Sequence, residues 1–183
     1  MRPGGNGLRY VMPSSSEPAT PADARGWLLD TNVISELRKG ARCDRAVAAW
    51  AAQVPPVACF LSRVTVAEIV FGIERVSDPA FRAELESWLR DGVRAWFGGR
   101  IFEVDEAVLI AWRRLVTQGQ KARYTYSQPD ALIAATAKVH GLAVATRNVE
   151  DFVQAGLPIL DPWRYDGSTP IRPISARSAA RSG

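Results

Sequence analysis

The stretch Trp27-Leu-Leu-Asp30-Thr-Asn-Val-Ile-Ser35-Glu-Leu decides the reading of this chain. A short apolar run ends abruptly in an aspartate, and a helix begins almost at once behind it. A buried strand hands over to a helix in this way in α/β proteins. In open α/β sheets, ligands bind outside the carboxyl ends of the strands, which is where Asp30 stands. The residues of interest elsewhere are those that the same fold brings to that rim.

Working outward, the alternation of strand and helix continues. A short helix over 32–39 closes at Gly40. A second, over 43–53, carries Val47 and Trp50 and stops at Pro55-Pro56. Residues 57–61 read as a short buried strand. Thr65 is expected to open a helix with Val66, Ile69, Val70 and Ile73 as its apolar stripe. Pro79 starts a longer one, with Phe81, Leu85, Trp88, Leu89 and Trp96 at helical spacing and Gly98-Gly99 at its end. Residues 101–104 form a strand, and Asp105 caps a helix bearing Val108, Trp112, Leu115 and Val116. After a polar loop at 119–128, Pro129 begins an alanine-rich helix that ends at His140-Gly141, where His140 would cap carbonyls. A strand over 142–146, a short helix from Asn148 and an edge strand at 158–160 complete the pattern. It implies an α/β fold with a mostly parallel sheet covered on both faces.

Composition narrows the function. The 183 residues are 47% hydrophobic, ample for one cored domain and thin for two. No apolar run approaches the roughly 20 residues of a membrane helix, and no secretory signal is visible. The two cysteines, Cys43 and Cys59, lack metal-ligand spacing, which points to a reduced, cytoplasmic setting. The net charge of +4 belongs to the ends: residues 1–25 carry three Arg and two acids, residues 167–183 three Arg and no acid, and 26–166 is neutral. Both ends are rich in Gly, Pro and Ser and are expected to be a disordered extension (1–25) and a flexible basic tail (167–183). The domain is 26–166, and either Met1 or Met12 serves as the start.

Four acids stand out: Asp30, Glu68, Asp130 and Asp151. Singly, each reads as a helix cap. Thr65-Val-Ala-Glu68 and Ser127-Gln-Pro-Asp130 fit capping boxes, Asn148 precedes Asp151 by three, and Asp30 can cap its own helix. Jointly they converge on one rim, because parallel strands point the same way. Converging carboxylates repel unless a cation sits among them, and Mg²⁺ or Mn²⁺ prefers such oxygen ligands. Thr31, Asn32, Thr146 and Asn148 are placed to orient them. The lone His140 excludes a two-histidine nuclease, and no nucleophile elbow, phosphate-binding loop or dinucleotide fingerprint occurs.

Leu28-Leu-Asp30-Thr-Asn-Val-Ile-Ser-Glu-Leu37, Thr65-Val-Ala-Glu68-Ile-Val-Phe-Gly-Ile73, Pro129-Asp130-Ala-Leu-Ile-Ala-Ala-Thr-Ala137 and Ala145-Thr146-Arg-Asn148-Val-Glu-Asp151-Phe152 resemble the successive motifs of PIN-domain ribonucleases, in particular the VapC/FitB-type toxins of toxin–antitoxin pairs. The resemblance covers about 26–163. It implies a three-layer α/β/α fold with a short parallel sheet. It also implies a Mg²⁺- or Mn²⁺-dependent endoribonuclease that cuts RNA with metal-activated water. Such toxins are usually homodimers, held inactive in a hetero-oligomer with a VapB-type antitoxin. The family's acids fall on Asp30, Glu68, Asp130 and Asp151, and its helper positions on Asn32, Thr146 and Asn148. An antitoxin groove is expected along the helices at 32–39 and 43–53, with Leu37 and Trp50 as surface anchors and Val33 and Val47 as lesser candidates. Two rivals stay open. One is a phosphatase or receiver domain using Asp30, although the phosphatase wants a second Asp where Asn32 stands. The other is a non-catalytic RNA- or partner-binding module. A housekeeping RNA-processing role is the alternative within the nuclease class.

Overall fold

A computed structural model describes residues 24–167. The expected N-terminal extension, except its last two residues, and the basic tail beyond Gly167 lie outside the described residues, as do both candidate start methionines.

Five short strands form one all-parallel sheet in the order β3-β2-β1-β4-β5. They are β1 (Trp27–Leu29), β2 (Cys59–Ser62), β3 (Ile101–Phe102), β4 (Ala143–Ala145) and β5 (Ile159–Leu160). Side chains alternate along each strand, so the sheet builds two cores. Trp27, Leu29, Cys59, Leu61, Ala143 and Ala145 face one layer. Leu28 and Val144, with Phe60 packed beside them, face the other. The first layer holds residues of α1 (Thr31–Leu37), α2 (Arg45–Gln53), α3 (Arg63–Glu74) and α4 (Pro79–Ser87). The second holds residues of α6 (Glu106–Lys121), α7 (Gln128–His140) and α8 (Val149–Val153). The three-layer α/β/α arrangement follows from that alternation.

The chain leaves β1 toward β2 and β3, then returns to β1's other flank for β4 and β5. The strand order therefore reverses between β1 and β4, and a cleft at their carboxyl ends is dictated by topology. Just ahead of β1, Ala24 packs on the first core, and the Arg25 N–H donates to the Gly141 carbonyl at 2.9 Å.

Several local expectations hold. Asp105 accepts from the Val108 N–H at 2.9 Å and starts α6. Gly141, at φ 63°, ends α7 in the left-handed conformation that glycine adopts without steric cost.

Others do not. The helix from Pro79 is not uniform. Behind α4 it widens into a π-helical segment, Trp88–Arg94, before a last turn, α5 (Ala95–Phe97). His140 does not cap carbonyls; its ring stacks on Phe102, with centroids 3.6 Å apart. Burial there pushes its pKa down. Trp50 is not a surface anchor. It is 1% exposed and packs edge-on against Trp27, with centroids 5.9 Å apart. Val33 and Val47 are equally buried. Helical spacing tells which residues share a face, and here Val47 and Trp50 share the buried face of α2.

Candidate active site

Asp30 directly follows β1. Its backbone N–H donates to the Ala145 carbonyl at 3.0 Å, which ties the end of β1 to the end of β4. The carboxylate is buried. Oδ1 accepts from the Thr31 N–H at 2.7 Å, so Asp30 does cap its own helix. Oδ2 accepts from Asn32 Nδ2 at 2.7 Å and from the Thr146 hydroxyl at 2.6 Å. Thr146 in turn accepts from Asn32 Nδ2 at 3.2 Å and from the Asn148 N–H at 2.9 Å. Thr146 and Asn32 thus hold Asp30 in one rotamer across the switch point. Asn148 assists through its backbone rather than its side chain.

Glu68 is not a capping residue. Ser62 caps α3 by accepting from the Val64 N–H, whereas Thr65 is fully buried inside the helix with no partner for its hydroxyl. Glu68 lies on the second turn and accepts from Thr31 Oγ1 at 2.5 Å. Asp130 keeps its capping role: its N–H donates to Ser127 Oγ at 3.2 Å, and the Ser127 hydroxyl donates back to Oδ2. Asp151 lies on α8, where its N–H bonds the Asn148 carbonyl at 3.2 Å.

The four carboxylates feel one another. Burial raises the pKa of Asp30 against its hydrogen bonds to Thr146, Thr31 and Asn32, and the Asp130 charge raises it further. Glu68 is raised by burial and by Asp30 and Asp130, against the Thr31 hydrogen bond. Asp151 is raised by burial, then by Asp130 and Glu150. Among the described residues no basic side chain forms an ion pair with any of them. Nor do three acidic, His or Cys side chains there already close on a common point as a metal cage would. Asp30, Glu68 and Asp130 are instead turned toward the hydroxyls of Thr146, Thr31 and Ser127. The donor set nevertheless suits a hard divalent cation: it is all oxygen, anionic, and lacks a counter-charge of its own.

Reasoning from sequence missed Tyr124, whose hydroxyl pKa is raised by burial and then by Asp151, Asp130 and Glu150. It flanks the acidic cleft and packs edge-on to Tyr126 at 4.7 Å. The Tyr124-Thr-Tyr126 pair directly ahead of Ser127 was the available signal. Leu37 lies elsewhere, in an apolar groove of about 610 Å³ shared with Arg38, Trp88, Val93, Trp96 and Phe97. That groove runs between α1 and the π segment. Of the two helices along which the sequence expects a groove, α1 lines this one and α2 does not.

An oxygen-rich acidic cleft at the switch point of a parallel sheet defines a class, and the matching family model gives it a name. The PIN domain model matches residues 27–156, and the chain belongs to that family. Within the family it is similar to the VapC ribonuclease Y4jK of Sinorhizobium fredii, 38% identical over 74% of this chain and 96% of that protein. Toxin FitB of Neisseria gonorrhoeae is 34% identical over 74% and 97%. The crystal structure of FitAcB from the same organism superimposes with a TM-score of 0.71 at 33% identity, covering 75% of this chain and 99% of that one. A toxin–antitoxin complex from Klebsiella pneumoniae gives 0.53 at 25% identity, over 75% and 98%. The α/β/α fold and the VapC/FitB likeness read from the motifs are thereby established. No helix among the described residues is long and apolar enough to cross a membrane.

Proposed function

We propose that this chain is a divalent-metal-dependent endoribonuclease and the toxin of a toxin–antitoxin pair. One observation carries the reading: four carboxylates interact at the switch-point cleft with no basic side chain paired to them among the described residues. Relatives named VapC ribonuclease and FitB toxin support the substrate and the role.

Asp30 and Asp130 would hold Mg²⁺ or Mn²⁺ most directly, with Glu68 and Asp151 completing the site. When bound, the ion supplies Lewis-acid screening of the phosphate and eases deprotonation of water. Thr146 and Asn32 fix the Asp30 carboxylate at the edge of the cleft, so little entropy would be lost in ordering it on loading. Glu68, whose pKa is raised by burial, would receive the proton of the attacking water. Ser127 and Thr31 steady Asp130 and Glu68 until RNA arrives.

A nuclease of this kind needs a brake. The apolar groove beside Leu37 offers a VapB-type antitoxin a docking face at one end of α1, with the acidic cleft at the other. The active species is a homodimer, and the braked one a hetero-oligomer with the antitoxin.

The test uses purified chain, free of partner, and a total-RNA pool. Cleavage is expected with Mg²⁺ or Mn²⁺, and its loss with chelator and in Asp130→Asn. RNA left intact under both metals refutes the nuclease. Growth arrest on expression, relieved by the adjacent antitoxin-like gene, tests the toxin. An active, abundant and harmless chain would make housekeeping RNA processing the better account.

A further inference from the structure

Beside the carboxylates lies a second, polar cleft of about 440 Å³, into which Asp151, Asn148, Arg147 and Arg164 project. Its floor is the chain between β4 and α8, and its far wall is the turn Pro162–Arg164. We infer that Arg147, steadied on Trp163, binds a phosphate of the RNA adjacent to the one being cut, so that this cleft carries the flanking nucleotide. The inference rests on the ribonuclease reading above.

Three observations lead to Arg147. The first is where it is fixed. Its backbone N–H donates to Asn32 Oδ1 at 3.2 Å, and Asn32 Nδ2 donates to Asp30 Oδ2 at 2.7 Å. Two hydrogen bonds therefore set the root of this side chain relative to the central carboxylate. The second is how its head is held. The guanidinium lies 5.4 Å from the centroid of the Trp163 ring, a stacking contact that orients it while leaving its N–H edge available. Trp163 is itself anchored: its N–H donates to Asp161 Oδ1 at 3.0 Å.

The third observation is its charge. Among the described residues Arg147 forms no ion pair and no side-chain hydrogen bond. Its nearest structural excuse would be neutralising Glu36, whose pKa it helps to lower. Glu36 is already served by Lys39 Nζ at 2.6 Å and by the Asp44 N–H at 2.9 Å, so Arg147 is a minor contributor there. Arg164, in contrast, is paired with Asp161 at 3.4 Å and points into solvent.

A polyanion approaching four carboxylates is repelled, and a fixed cation one nucleotide away offsets that repulsion and sets the register. The remaining acids of the cleft do not cancel it. Asp161 is occupied by Arg164 and the Trp163 N–H, and the charge of Glu150 is felt by Asp151 and Tyr124.

The experiment measures binding of a labelled single-stranded 12-mer RNA by fluorescence anisotropy, with Mg²⁺ present, on an Asp30→Asn background that blocks turnover. Adding Arg147→Ala should weaken binding roughly tenfold, as expected for losing one charge-assisted contact. It should also flatten the dependence of log Kd on log salt by about 0.7, one phosphate on a single strand. Arg147→Lys should recover the salt slope but only part of the affinity. In the otherwise native chain, Arg147→Ala should raise KM more than it lowers kcat, with an unchanged melting temperature because the backbone bond to Asn32 survives. Trp163→Leu should mimic it in part. If Arg147→Ala melts normally and keeps both the affinity and the salt slope, while the parent cuts RNA, this inference alone is overturned. If the parent neither binds nor cuts RNA, the ribonuclease reading falls and takes this with it.

Discussion

Helix α1 has a buried carboxylate near each end, and the two behave oppositely. Asp30, ahead of its first turn, is 5% exposed and has its pKa raised. Glu36, in its last turn, is 8% exposed and has its pKa lowered. Both have satisfied oxygens, so hydrogen-bond count does not separate them. What separates them is desolvation, the largest cause of the rise at Asp30 and a lesser one at Glu36, together with the charge of their partners. Glu36 bonds the Lys39 ammonium and an N–H of the next helix, and so it pins the turn into α2. Asp30 receives only uncharged donors and faces another carboxylate, Asp130. One acid is complete as built. The other is held ready, without a cation of its own.

The sharpest way to break that contrast is to neutralise each in turn. Asp30→Asn should lower RNA cleavage by about a hundredfold or more, as loss of a ligand to a catalytic ion does, and leave the fold intact or slightly more stable. Glu36→Ala should keep cleavage within a few-fold and cost about 1–3 kcal/mol of stability through the unpaired turn. Cleavage assays paired with urea melts decide it, and equal losses of activity in both variants would erase the distinction.

A second test uses the ion. Saturating Mg²⁺ should raise the melting temperature of the native chain by several degrees through linkage. The rise should vanish in Asp30→Asn and persist in Glu36→Ala, whether read by calorimetry or by melting.

The third uses protons, and the two carboxylates should pull in opposite directions. In the metal-free protein Asp30, Glu68 and Asp151 hold protons more tightly when folded, so their contribution is present at low pH and lost as pH rises through their raised values. Glu36 is lowered from 4.5, so its contribution is present above that value and lost as pH falls through its folded pKa. Metal-free stability should therefore climb as pH drops from neutrality toward 4.5 and then decline. Asp30→Asn should flatten the climb, and Glu36→Gln the decline. A native profile without the climb would contradict the assignment of Asp30, Glu68 and Asp151, and one without the decline that of Glu36.

The smallest effect concerns Thr31. Thr31→Val removes the hydroxyl that holds Glu68, and cleavage should fall by about three- to tenfold with little change in melting, in keeping with about 1 kcal/mol for one hydrogen bond.

Much of this was legible in the sequence because it rests on local chemistry. Trp27-Leu-Leu-Asp30 gives strand and rim together, and Asp105, Ser127 and Gly141 mark helix ends with the right side chains. Glu68 was the harder acid. Ser62 and Thr65 are both good capping residues, and only the packing that buries Thr65 shows that the helix starts earlier and leaves Glu68 free for Thr31. Trp50 was misplaced for a related reason: a helical stripe has no sign until a sheet lies beneath it. Arg147 gave no signal of its own, and Tyr124 only its spacing in Tyr124-Thr-Tyr126 ahead of Ser127. Their roles come from neighbours distant in sequence, Asn32, Trp163, Asp130 and Asp151.

The wide turns of Trp88–Arg94 lead to Trp96, on the exposed rim of the apolar groove, and to Phe97, at its buried base. Successive residues of an ordinary α-helix are about 100° apart around the axis. Loss of one codon within that segment, returning it to α geometry, would swing everything behind it by roughly that angle. Trp96 would leave the rim while every acid of the cleft stayed in place. For the docking face proposed above, a single in-frame deletion would then change the fit of a partner without touching the chemistry.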